Sequence, residues 1–166
     1  MRVAKVREAI GPDIGILLDA NNCWDAATGV RFANMAREYD IMLLEEPVFA
    51  DDLPGLKRYK LGTDVPLATG EHEYTKYGCR ELVMNNATDY VQIDGTRTGG
   101  FTEMLKIAAI TQAWNLKFAP HAMENIHIHL VAAYANAPFL ERLKLFEEIT
   151  ANIYMDAPKP DHGFMT

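Results

Sequence analysis

The chain has 166 residues, 49% of them hydrophobic and 23% charged, a composition that suits one folded domain and excludes disordered, collagen-like and membrane-embedded classes. Sixteen Lys and Arg against 23 Asp and Glu leave a net charge of −7, which removes the basic footprint that nucleic acid or an anionic membrane surface would need. Two cysteines, Cys23 and Cys79, cannot build a disulfide scaffold, and neither a signal-like N-terminus nor an apolar run of about 20 residues is present, so a soluble cytoplasmic protein is expected.

Short, almost unbroken apolar runs recur at residues 14–18, 41–44, 65–68, 90–93 and 116–119. Runs of this length without polar alternation read as strands buried on both faces, the signature of a parallel sheet. Helical spacing lies between and after them. Phe101, Met104, Leu105, Ala108 and Ala109 share one face, as do Ile126, Leu130, Ala133, Tyr134 and Ala137. The alternation predicts an α/β fold whose helices cover the sheet.

A polar residue ends each apolar run: Asp19, Glu45, Glu71, Asp94 and His121, with Glu141 after Phe139 and Leu140. Their intervals of roughly 20–27 residues are each about one βα unit, and in a parallel barrel such positions surround a single mouth. Asp19, Glu45 and Glu71 then offer three hard oxygen donors from adjacent strands, a set suited to Mg²⁺. Glu46 adjoins Glu45 and points the opposite way if the strand persists, which leaves it a structural hydrogen bond. His121 beside Asp94 suits a general base, because a carboxylate fixes an imidazole's tautomer and stabilises its protonated form.

His72 either lines the mouth or caps the next helix. His127 and His129, at i and i+2 on an expected helix, do not share a face and read as structural. Glycines 99 and 100 precede the helix near Phe101, where free amides could admit an anionic group. No phosphate-binding glycine loop, no G-x-S-x-G elbow and no Cys-x-x-Cys occurs, so nucleotide, hydrolase and zinc chemistries lack support.

The ordered set Leu18-Asp19-Ala20-Asn21, Glu45-Glu46-Pro47, Thr69-Gly70-Glu71, Gln92-Ile93-Asp94 with Gly99-Gly100, and Pro120-His121 resembles the barrel domain of the enolase superfamily, mandelate racemase subgroup. The stretch from Leu67 to Thr75 is similar to that of sugar-acid dehydratases of the L-rhamnonate dehydratase type. The resemblance implies that Asp19, Glu45 and Glu71 bind Mg²⁺ and that Asp94 and His121 form the catalytic dyad. It further implies that Glu141 bonds the substrate carboxylate or assists protonation, while Asn21, Arg97 and His72 are candidates to line the substrate site. The implied reaction removes the proton α to the carboxylate of a sugar acid, gives a metal-stabilised enediolate and expels the β-hydroxyl.

Members of that family also carry a capping domain and two earlier strands, the second with a lysine motif, and the sequence contains none of these. The expectation is therefore a partial TIM-type (β/α) barrel of about six parallel strands with outer helices, lacking the capping domain and first strands. Residues 1–151 would form the barrel domain and 152–166 a surface tail. Unpaired strand edges predict a homo-oligomer. The rival readings are a racemase or epimerase of the same subgroup, and a truncated, non-catalytic barrel piece that self-associates.

Overall fold

The computed structural model describes residues 2–165. Along the chain run α1 (Arg2–Ile10), β1 (Ile16–Asp19), α2 (Ala26–Ala36), β2 (Ile41–Glu45), α3 (Leu53–Gly62), β3 (Leu67–Thr69), α4 (Lys76–Met84), β4 (Tyr90–Val91), the single turn α5 (Gly95–Thr98), α6 (Phe101–Ala113), β5 (Lys117–Phe118), α7 (Glu124–Ala133) and α8 (Lys144–Thr150), and a short hairpin of β6 (Pro160–Asp161) and β7 (Phe164–Met165) closes the description. The fold is the expected α/β class: five strands lie in the sequential order β1-β2-β3-β4-β5, with a helix after each. Sequential order is how a singly wound sheet grows, whereas a doubly wound sheet reverses direction at a switch point.

Five strands form where about six were expected. Before Glu141 the backbone carries no strand, and only the bond from Phe118 N to Asn136 O, 3.0 Å, continues the ladder. Pro138 lacks the N–H that a ladder needs. Helix α7 likewise stops at Ala133, leaving Tyr134 and Ala137 beyond it.

The chain divides into two compact units, one comprising residues up to Gly70 with Arg80–Tyr90, the other Glu71–Cys79 with residues from Val91 onward. In the first unit, β1 pairs with β2 and β2 with β3, all parallel. Its helices begin where side chains cap them: Asp25 accepts from Thr28 N at 2.7 Å to start α2, and Asp52 accepts from Gly55 N at 2.9 Å to start α3. Leu44, Leu56, Leu67 and Tyr59 are fully enclosed between sheet and helices, each leucine contributing about 2 kcal/mol by burial. Gly29 lies so close to Pro47 and Tyr59 that an added Cβ would sit 3.3 Å from both, and this lets α2 approach α3 and the segment after β2.

A polar anchor at the bottom of this unit ties helix to strand. Lys60 Nζ donates to Asp89 Oδ1 at 2.7 Å and to Thr88 O at 3.1 Å, while Asp89 Oδ2 accepts from Leu67 N at 2.9 Å. The Lys60 side chain is only 13% exposed, so removing its counter-ion strands a largely buried charge. Asp89→Ala is expected to lower the unfolding free energy by about 2 kcal/mol, read by urea denaturation. A loss under about 0.5 kcal/mol, the ordinary range of a surface substitution, would show that the anchor contributes nothing.

In the second unit, Ala119 N donates to Val91 O at 3.1 Å and His121 N to Ile93 O at 3.2 Å, so the parallel ladder runs past the assigned ends of β4 and β5. Ile93, Met104, Ile107, Phe118 and Leu130 form its buried interior. Gly99 (φ 106°) ends α5 and Gly100 (φ 77°) starts α6. The glycine pair is explained by these left-handed conformations. Among the described residues no helix is long and apolar enough to cross a membrane.

Candidate active site

In the first unit the register sets Asp19 opposite Glu45 at the C-terminal ends of β1 and β2, so the two carboxylates share one face of the pleat. Glu45 is buried and Asp19 exposed. Asn21, in left-handed backbone (φ 46°), holds Asp19: its N donates to Oδ1 at 2.7 Å and its Nδ2 to Oδ2 at 2.5 Å. Asn21, expected to face substrate, here orients an acid.

Glu46 follows the end of β2 in left-handed backbone. Its φ is 40°, it is 2% exposed, and its carboxylate accepts from Asn22 Nδ2. Asn22 also donates its N to Glu46 O at 2.8 Å and accepts from Ala50 N at 2.8 Å through Oδ1. Asn22 is thus a supporting residue that sequence reasoning missed; the Asn-Asn doublet, tolerant of φ > 0, was its only signal.

In the second unit the backbone bond from His121 N to Ile93 O sets His121 level with Asp94, and their side chains meet, Nδ1 to Oδ2 at 3.1 Å. Asp94 is 3% exposed. Burial works against its ionised form, but hydrogen bonds from His121 and from Thr96 N (2.8 Å) and Oγ1 (2.7 Å) outweigh it and bring its pKa down to about 2. Burial also pushes the His121 imidazole down, yet the Asp94 bond and the negative charges of Glu71 and Glu141 raise it above the usual value. An ionised Asp94 places the His121 proton on Nδ1 and leaves Nε2 as the working nitrogen.

Nε2 faces Glu71 Oε2 at 3.1 Å. Arg97 Nη1 donates to both Glu71 O and Oε1 at 3.0 Å, and its Nε lies 3.9 Å from Asp94 Oδ2. His72 is half-exposed, its Nε2 3.7 Å from Glu71 Oε1. Arg97, His121 and His72 therefore assemble around the Glu71 carboxylate, and Asp94 holds the other nitrogen of the His121 ring. Glu141 joins from the far side of His121: its Oε2 accepts from Ala122 N at 2.6 Å. That bond secures Ala122 (φ 48°) and Met123 (φ 43°), consecutive non-glycine residues in left-handed backbone, where strain of roughly 1–2 kcal/mol each is stored.

His127 is structural, as expected. It is fully buried, accepts from Gly95 N at 3.0 Å through Nε2 and bonds Ala122 O at 2.8 Å through Nδ1, so one ring fixes the residues that follow Asp94 and His121. Burial pushes its pKa down. His127→Leu orphans a buried amide and a buried carbonyl, and a loss of about 2–4 kcal/mol is expected in chemical denaturation. An unchanged midpoint would remove His127 from the scaffold.

Asp19, Glu45 and Glu71 offer only carboxylate oxygens, the donor chemistry that Mg²⁺ selects over softer metals. The fit has a structural correlate in Glu71, whose carboxylate already takes a cation, the Arg97 guanidinium, at 3.0 Å.

The family model described as Enolase C-terminal domain-like matches residues 1–166. The chain is similar to the L-talarate/galactarate dehydratase of Salmonella typhimurium LT2, 36% identical over 86% of this chain and 36% of the relative. It is also similar to the L-rhamnonate dehydratase of Saccharopolyspora erythraea, 35% identical over 95% of this chain and 41% of the relative. Among solved structures, the L-talarate dehydratase of Polaromonas sp. JS666, complexed with Mg and L-glucarate, superposes with a TM-score of 0.83 at 34% identity, covering 89% of this chain and 41% of that one. The chain thus spans well under half the length of the relatives it matches.

Proposed function

The chain belongs to the enolase C-terminal domain-like family, and from that premise we propose that it carries the catalytic residues of a Mg²⁺-dependent sugar-acid dehydratase. The observation that carries the reading is the buried hydrogen bond from His121 Nδ1 to Asp94 Oδ2, 3.1 Å long, between partners set level by the strand ladder. Asp94 holds the imidazole in one tautomer, and His121 Nε2 takes the proton α to the carboxylate of the acid. The same nitrogen returns a proton to the departing β-hydroxyl. Acid–base work of this kind is worth about 10²–10⁴ in rate. Asp19, Glu45 and Glu71 hold the metal, which when bound supplies positive charge to the carboxylate oxygens as the α-proton leaves. Arg97, Asn21 and His72 bond the polar groups of the acid, and Glu141 keeps the turn after His121 in place while facing its ring.

The experiment is direct. The chain is incubated with Mg²⁺ and L-talarate, galactarate or L-rhamnonate, and 2-keto acid is followed. Its appearance with loss of water is expected. Exchange of the α-proton with inversion and no loss of water would replace the reading with a racemase, and metal binding without either reaction would contradict it.

Self-association belongs to the same reading. Ile14 just before β1 and Leu17 within it are 57% and 46% exposed, and β1 is an end strand of the order, an edge that invites pairing. Sedimentation equilibrium is expected to return a dimer or larger species, and a monomer at high concentration would contradict it.

A further inference from the structure

A second polar site lies apart from the proposed catalytic residues, in a cavity of about 310 Å³ where the start of α7 meets α8 and the segment after it. Five charged side chains line it: Glu124, Glu147 and Asp156 against Arg142 and Lys159. Arg142 and Glu147 are paired with each other, and Asp156 and Lys159 are exposed to solvent. One negative charge is left over, and it belongs to the buried member. Glu124 is only 3% exposed, and its side chain makes no hydrogen bond or ion pair among the described residues.

A carboxylate that is nine-tenths buried with no partner is costly unless something cationic meets it. The positive end of α7 favours an acid in its first turn, but that effect is smaller than the desolvation it would have to offset. We infer that this cavity binds a small primary ammonium, with Glu124 as its counter-ion. A metal ion fits less well, because among the described residues Glu124 belongs to no cluster of three ligating side chains. An ammonium needs only one strong acceptor plus neutral oxygens, and Thr150 Oγ1, which donates to Phe146 O at 2.7 Å and keeps its lone pairs, lines the same wall. The volume admits a ligand of a few heavy atoms, at the low end of small-molecule sites.

The test is a ¹H–¹⁵N NMR titration of the chain with ethanolammonium chloride, beside tetramethylammonium chloride at equal ionic strength. Saturable shifts confined to the amides of Glu124, Asn125, Thr150 and Tyr154 are expected with ethanolammonium and none with tetramethylammonium, which has no N–H to donate. Glu124→Gln is expected to weaken the response by about tenfold or more, as loss of a charged hydrogen bond does. Shifts that are absent, scattered, or equal for the two cations overturn the inference without recourse to the variant. So does an unchanged titration in a folded Glu124→Gln protein.

Discussion

His121→Asn is expected to abolish dehydration and α-proton exchange while leaving Mg²⁺ affinity within about twofold, a drop in kcat of about 10³-fold or more. The asparagine amide can still reach Asp94, so the buried carboxylate keeps a hydrogen-bond donor and the loop after it keeps its Thr96 bonds. What disappears is a nitrogen that can gain and lose a proton. The expected pattern is therefore lost turnover with retained fold and retained metal, read by product formation, circular dichroism and calorimetry on one preparation. Exchange that survives in the variant would remove His121 from the reaction.

Glu45→Gln is expected to weaken Mg²⁺ binding by about a hundredfold, whereas Glu46→Gln leaves it nearly unchanged. The two neighbours differ in where the chain aims them. Glu45 stands in register with Asp19 at the strand ends, and its amide replacement loses a full negative charge towards a hard divalent cation. Glu46 has left the strand at φ 40° and accepts from Asn22 Nδ2, a bond that a glutamine oxygen also accepts. Isothermal titration of Mg²⁺ into the two variants separates them. The reverse ranking would move the metal to the Glu46 side of the strand.

The α/β alternation and the strand-end polar residues are legible in the sequence, and the reason lies in the chemistry of buried parallel strands. A strand covered on both faces must be apolar along its length, so the polar residue that ends it stands out, and Asp19, Glu45, Glu71, Asp94 and His121 are each legible that way. The level placement of Asp94 and His121 follows from the ladder, since polar ends of adjacent parallel strands meet side by side. The supporting cast was not legible. Thr96 reaches Asp94 through a local turn that any loop threonine could make, Asn22 reaches Glu46 across 24 residues, and Glu141 secures a left-handed Ala122-Met123 pair that no local preference signals. The expected strand before Glu141 failed because Pro138 interrupts the ladder, although Phe139 and Leu140 are apolar enough to suggest one. Arg97, a substrate candidate in the sequence, also meets Glu71, a pairing of residues 26 apart that spacing alone could not suggest.

The central claim is that these strand ends remove an α-proton with the help of Mg²⁺. The measurement that tests it most directly is ¹H NMR of a sugar acid, galactarate first, incubated with the wild-type chain in D₂O. With Mg²⁺ present the account predicts loss of the α-proton signal, and with EDTA in its place no loss. A signal that persists while calorimetry shows Mg²⁺ bound would contradict it.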